Sequence, residues 1–249
     1  MGSTPSDSPR WRARPQSARA SSSRPEPPAL PAEVEPGDLP REVLAELREL
    51  PPARRDVLAR HLAAAGALLA VDPDAAWEHA AYARRCAGRL ASVREAAGVA
   101  GYRTGRYAEA LSDLRAYTRM SGDPRHLPLM ADCERGLGRP ERALALASSA
   151  AAKRLGRAER IELRIVASGA RRDLGEAQAA LVELRGPELD STQVTSWTPR
   201  LWYAYAEALL AAGDTEEAVR WFTSVAAVDA VGETDAELRL AELATGTAD

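Results

Sequence analysis

The 249-residue sequence has only two cysteines, one phenylalanine and one lysine, and it has no long apolar run. Two cysteines in a chain of this length argue against a disulfide scaffold and favour a reducing compartment. The longest run of small and apolar residues covers ten positions, 62–71, whereas a membrane-spanning helix needs about 20. The first residues lack the apolar stretch of a signal peptide. We therefore expect a soluble, cytoplasmic protein without membrane contact.

Catalytic and cofactor-binding motifs are also missing. The sequence contains no phosphate-binding loop, no dinucleotide fingerprint, no nucleophile elbow and no zinc-protease motif. His61 and His79 lie in different helical segments and can approach each other across a helix pair, but a metal site would need further ligands there. Cys86 and Cys133 lie inside helical patterns and suit apolar packing better than nucleophilic chemistry. We expect a protein that is not an enzyme and that binds no cofactor and no metal.

Charge is distributed unevenly along the chain. The net charge is −3, but residues 1–25 carry +4 and the remaining 224 residues carry −7. Residues 1–37 are rich in proline, serine and arginine and offer few large apolar groups, which predicts a disordered tail. Its basic side chains permit phosphate contacts, and Trp11 between two arginines could stack on a base. The basic residues of the tail are Arg10, Arg12, Arg14, Arg19 and Arg24.

From residue 38 onward, apolar residues recur at helical spacing between turn signals. Leucine and alanine dominate, which suits closely packed helices better than sheets. Asp72, Gly105 and Gly138 follow one another at intervals of 33 residues, and Gly175 and Gly213 follow at intervals of 37 and 38. Spacing of this kind predicts repeated pairs of helices.

The two longer intervals need extra residues somewhere. We predict that the first extends the helix that ends near Leu155. The second contains residues 186–199, which read as a long loop of the kind that is often functional or mobile.

The clearest repeat covers residues 202–230. A second copy at residues 93–117 aligns with it on the turn glycine, and Gly98 falls where two helices would cross. The tetratricopeptide pattern W-x2-L-G-x2-Y and A-x3-F is matched in part by Trp202, Tyr205, Ala206, Leu209, Ala218 and Phe222. The chain resembles the tetratricopeptide repeat superfamily, and within it the small, uncharacterised members from high-GC bacteria.

This resemblance implies an all-α fold. We expect a right-handed α-solenoid of about five tetratricopeptide-like helix hairpins over residues 38–249, with a C-terminal capping helix and the disordered tail at residues 1–37. It also implies a scaffold that binds a protein or peptide partner in its concave groove. The carboxylate clamp of chaperone-binding members is absent, because the equivalent positions hold Leu62, Gly66, Ala96, Val99, Leu129 and Gly169.

Ten residues are placed in the concave groove by the repeat register. Tyrosine and arginine are enriched among binding hot spots, so a groove of this composition suits a peptide or helix of mixed charge. The ten positions are Tyr102, Arg103, Arg125, Asp132, Arg135, Glu162, Arg172, Arg200, Tyr203 and Glu207.

Two functions therefore remain open. The first is a non-enzymatic scaffold or adaptor that binds a protein partner in the groove. The alternative is a nucleic-acid-associated protein that uses the basic N-terminal arm, although the acidic body and the lack of a recognition helix argue against it.

Overall fold

The computed structural model describes residues 26–32 and 34–246, and these residues form twelve α-helices without a strand. The prediction of an all-helical protein is confirmed. The helices are α1 (Arg41–Leu47), α2 (Pro52–Leu68), α3 (Pro73–Ala87), α4 (Ala91–Arg103), α5 (Tyr107–Ser121), α6 (Leu127–Gly136), α7 (Pro140–Ala147), α8 (Arg157–Asp173), α9 (Ala177–Leu184), α10 (Thr198–Ala211), α11 (Thr215–Val228) and α12 (Ala236–Thr245).

The start of the folded region differs slightly from the prediction. A 3₁₀ turn at Pro36–Asp38 packs against α2, and α1 then begins at Arg41 with Pro40 as its N-cap. Leu39 packs against the buried cluster that contains Leu47. Residues 1–25 of the predicted tail, with all five of its arginines, lie outside the described residues.

In four helix pairs, the turn between the two helices contains a glycine with the same backbone geometry. Gly105, Gly138, Gly175 and Gly213 have φ between 70° and 84°, a left-handed conformation that glycine adopts without a steric penalty. In each turn the glycine N–H donates to the carbonyl three residues back, and the next N–H donates to the carbonyl five residues back. This is the Schellman arrangement, which ends a helix and satisfies its last carbonyls. The spacing of these glycines therefore marks repeated turns, as predicted.

Helix starts also follow the local chemistry. The Asp72 carboxylate accepts a hydrogen bond from the Ala75 N–H at 3.0 Å, and Pro73 occupies the first helical position of α3. The Asp214 carboxylate caps α11 in the same way through the Glu217 N–H at 3.2 Å. The Glu217 carboxylate does not complete a capping box with Asp214, because it accepts from Trp221 Nε1 at 3.2 Å.

Each helix packs against the next one in the chain, and α2, α4, α6, α8 and α10 also pack against one another in that order. Within the α4–α5 pair, Gly98 lies under Leu114: a Cβ added to Gly98 would stand 2.5 Å from Leu114 Cδ2. The predicted small position is therefore confirmed. The direct contacts among α2, α4, α6, α8 and α10 place these five helices side by side, and their common face carries the candidate site.

The two longer intervals, between Gly138 and Gly175 and between Gly175 and Gly213, accommodate their extra residues in different ways. The predicted extension of α7 to Leu155 is wrong, because α7 ends at Ala147 and a second 3₁₀ turn follows at Ala152–Arg154. Leu155 is buried against neighbouring helices. This burial favours a turn that brings the Leu155 side chain into the core, rather than a straight extension of α7.

Residues 185–197 form an anchored long loop, which ends earlier than the predicted 186–199 because Thr198 and Pro199 begin α10. Leu189 is buried, and its carbonyl accepts from Trp202 Nε1 at 3.2 Å. The Arg164 guanidinium donates to the Glu188 carboxylate at 3.0 Å and to the carbonyls at the end of α9 at 2.7 to 2.9 Å. Arg164 of α8 thus caps α9, and the loop joins α8 to α10 through Glu188 and Leu189.

Aromatic residues stabilise the C-terminal end. Phe222 is fully buried, and the Tyr203 ring meets it edge-on at 5.4 Å. Trp221 makes similar contacts with Trp202 and Tyr205, at 5.7 and 5.1 Å. Helix α12 then packs against α11. Across residues 26–32 and 34–246, every helix falls short of the length and apolar character required for a membrane span.

Candidate functional site

Two neighbouring concavities lie on the common face of α2, α4, α6 and α8 and reach the start of α10; together they are called the groove. It has two parts that share Val99, an apolar part of about 240 Å³ and a polar part of about 520 Å³. The apolar part is lined by Leu39, Val43, Leu62, Ala65, Gly66, Leu69, Ser92, Glu95, Ala96 and Val99. The polar part is lined by Val99, Tyr102, Arg103, Arg125, Pro128, Leu129, Asp132, Arg135, Ala158, Glu159, Glu162, Ile165, Val166 and Arg200.

The structure brings together seven of the ten residues that the repeat register assigned to the groove. Arg172, Tyr203 and Glu207 lie beyond its polar part, further along the array. The seven that line the polar part are Tyr102, Arg103, Arg125, Asp132, Arg135, Glu162 and Arg200.

Three of these seven residues, Tyr102, Asp132 and Arg135, belong to one hydrogen-bond network within the chain. Tyr102 Oη donates to Asp132 Oδ2 at 2.7 Å, and Arg135 donates to Asp132 Oδ1 at 2.8 Å. Arg135 also donates to both carboxylate oxygens of Asp173, at 2.8 and 3.2 Å, and lies directly over Gly169. Burial, together with the Asp132 charge, raises the pKa of Tyr102, so the phenol stays protonated and remains a donor. This network ties α4, α6 and α8 together.

The other three predicted residues belong to a second network at the C-terminal end. The Glu207 carboxylate accepts from Arg172 at 3.0 Å and from Arg239 of α12 at 2.9 Å. Tyr203 bonds the Asp235 side chain, and burial followed by this bond raises its pKa. Helix α12 therefore covers this end of the surface, and these side chains serve the packing of α8, α10 and α12.

The remaining groove arginines are more accessible. Arg103 is exposed, and no hydrogen bond or ion pair joins it to another described residue. Arg125 pairs with Asp123 at 2.5 Å on the surface, and Arg200 pairs with Glu162 across the α8–α10 junction. Exposed pairs of this kind contribute little to folding and can exchange partners, so these arginines are the groove's available cations.

No protein-family model and no curated protein sequence matches the chain.

Several groove residues lie outside the sequence prediction. Leu39 and Val43 come from the segment before the first predicted helix pair, and they line the groove because α1 folds back onto α2 and α4. Glu46 of α1 completes this contact by accepting from the Ala91 and Ser92 N–H groups, so it caps α4 from another helix. Ile165 and Val166 belong to the strongly amphipathic helix α8, and their apolar spacing was the signal that could have found them.

The two buried histidines meet, as the sequence suggested. His61 Nδ1 and His79 Nδ1 are 2.8 Å apart, and Tyr82 packs on His61 with ring centroids 4.4 Å apart. One ring must donate and the other accept, so the contact requires at least one neutral imidazole. Among residues 26–32 and 34–246, no three His, Cys, Asp or Glu side chains are arranged to hold a metal ion, either at this pair or elsewhere. The pair thus contributes to the packing of α2 on α3.

The same pair makes stability depend on pH. Burial, followed by the charge of His79, lowers the pKa of His61 to about 4, and burial also lowers the pKa of His79. Because the unfolded chain binds these protons near pH 6.5 and the folded chain does not, the free energy of unfolding should decrease as the pH falls from 6.5 toward 4. Urea unfolding at several pH values measures this slope. Replacing both histidines with glutamine should flatten it, and an unchanged slope would assign the effect to other groups.

The cysteines are free and differ in exposure. Cys133 is buried, and this burial raises the pKa of its thiol to about 12. A thiol of that acidity is protonated at neutral pH and is a poor nucleophile. Cys86 is half-buried, and its carbonyl accepts a hydrogen bond from Arg54.

Proposed function

We propose that the chain is a non-enzymatic scaffold of the tetratricopeptide type that binds a protein partner in the groove. The observation that carries this proposal is the groove on α2, α4, α6, α8 and α10, in which an apolar part and a polar part with exposed arginines meet at Val99. Side-by-side helices create such a surface as a consequence of stacking, because each pair can bury only the faces that its neighbours cover.

The repeat organisation supports the same proposal. Five helix pairs follow one another, and four of them close with the same glycine geometry. In the arrangement that we propose, a right-handed solenoid, the first helix of each pair lines the concave side and α12 caps the last pair. The two free cysteines suit a reducing compartment and support a cytoplasmic protein.

A variant that fills the groove tests this function. Val99 is half-buried and belongs to both parts of the groove, so Val99→Trp should obstruct the whole surface. Val182 is 63% exposed on α9, outside the groove, and Val182→Trp is the matched control. We expect affinity for the partner to fall about tenfold or more with Val99→Trp only, since a blocked central contact removes hot-spot energy.

The measurement is capture from a native lysate with nuclease present, followed by mass spectrometry and by titration of the partner so identified. A partner that binds Val99→Trp as tightly as the native chain would place the site away from the groove. If a protein is captured without nuclease but lost when nuclease is added, a nucleic acid bound by the basic arm is favoured.

A further inference from the structure

A single glycine opens a notch in the apolar part of the groove. Gly66 lies inside α2, where glycine is the least favourable residue after proline. Its backbone does not need glycine, because its φ is not positive. Packing does not need glycine either: a Cβ added to Gly66 would meet no atom within 4 Å, in contrast to Gly98. The open space beside Leu62, Leu69 and Ala96 is therefore not used by the fold.

A cation without a partner lies close to this notch. Arg103 follows Val99 by one turn of α4, about 6 Å along the helix axis. Two of the three carboxylates in the polar part are already engaged, since Asp132 accepts from Tyr102 and Arg135, and Glu162 pairs with Arg200. The third, Glu159 at the start of α8, forms no ion pair with Arg103. The groove thus offers open apolar space on one side of Val99 and an unpaired positive charge on the other.

We propose that the partner is a peptide segment that places a large apolar side chain in the notch at Gly66 and an acidic side chain beside Arg103. This inference rests on the proposed function and names the chemistry of the partner. Apolar burial in the notch stabilises the complex, and the arginine selects for the carboxylate and disfavours basic segments. An extended segment advances about 3.3 Å per residue, so a few residues cover the step from Val99 to Arg103.

Two variants isolate the two contacts. Gly66→Leu fills the notch from within and replaces glycine with a strong helix former, so the thermal midpoint should stay the same or rise. Arg103→Glu reverses the free charge at an exposed position. The controls are Ala67→Leu, an exposed neighbour on the same helix, and Arg142→Glu, an exposed arginine on α7.

The experiment selects randomised short peptides displayed on phage against the full native chain. Enriched peptides are synthesised with a fluorescent label and titrated against each variant, and binding that survives Val99→Trp is discounted. We expect the enriched peptides to share an acidic residue close to Leu, Ile, Met or Phe. Their affinity should fall about tenfold or more with Gly66→Leu and with Arg103→Glu, and should be unchanged in both controls.

The other outcomes separate the two proposals. Peptides that lose binding with Val99→Trp but lack an acidic residue, or that tolerate Gly66→Leu and Arg103→Glu, would overturn this inference and leave the groove function in place. If no selected peptide depends on Val99, both the inference and the groove function are wrong.

Discussion

Replacement of Asp113 by alanine is expected to lower the free energy of unfolding by about 3 kcal/mol or more, because it leaves two partly buried cations without their partner. Asp113 lies in α5 and is only 1% exposed. Its carboxylate accepts from Arg84 of α3 at 2.5 Å and from Arg94 of α4 at 2.6 Å. The two arginine side chains are 26% and 29% exposed, so water compensates their charges only in part.

The matched control is an Asp–Arg pair that is open to solvent. Asp74 is 75% exposed in its ion pair with Arg106, and Asp74→Ala should change stability by less than about 1 kcal/mol. Urea unfolding of the native chain and both variants gives the comparison. Equal effects from the two substitutions would mean that Asp113 contributes no more than a surface pair.

Introducing tryptophan at position 110 should be at least as damaging. Ala110 is fully buried where α5 crosses α4, and a Cβ added to Gly101 of α4 would stand only 3.4 Å from the Ala110 Cβ. An indole cannot enter this contact unless the two helices separate. Overpacking of a core costs about 1–3 kcal/mol for a few added methylenes and more for a larger group, so Ala110→Trp should loosen or unfold the array.

Thermal unfolding followed by circular dichroism tests this expectation. Ala108→Trp adds the same group two residues earlier on α5, at an exposed position, and should leave the midpoint within a few degrees of the native value. An unchanged midpoint for Ala110→Trp would contradict the crossing of α4 and α5 at this residue.

Local chemistry made much of the fold predictable. A glycine in the left-handed conformation, an aspartate cap and a proline at the first helical position each act within a few residues, so they can be identified without tertiary information. Gly105, Gly138, Gly175 and Gly213 mark turns for this reason, and Asp72 marks the start of α3. The wrong extension of α7 shows the limit. Helical propensity would have continued it, but burial of Leu155 required a turn.

The sequence predicted where the candidate site lies, but not which of its side chains are available to a ligand. The repeat register assigned ten residues to the groove, and seven of them line its polar part, but the register could not tell which of their charges were already paired. Tyr102 and Asp132 are 30 residues apart, Arg135 and Asp173 are 38 apart, and Arg172 and Glu207 are 35 apart. Each separation is close to one repeat, so the partners lie on neighbouring helices and compete with any ligand for the same groups.

The sequence by itself determined the all-helical fold, the glycine turns and the order of the helix pairs, because these depend on short-range conformational preferences and on the periodic placement of apolar residues. Only the tertiary structure decided which groove residues are available. Whether Arg135 is tied to Asp132 and Asp173 while Arg103 stays free depends on the offset between adjacent helices. Gly169 of α8 leaves room for the Arg135 guanidinium of α6, a contact between residues far apart in the chain.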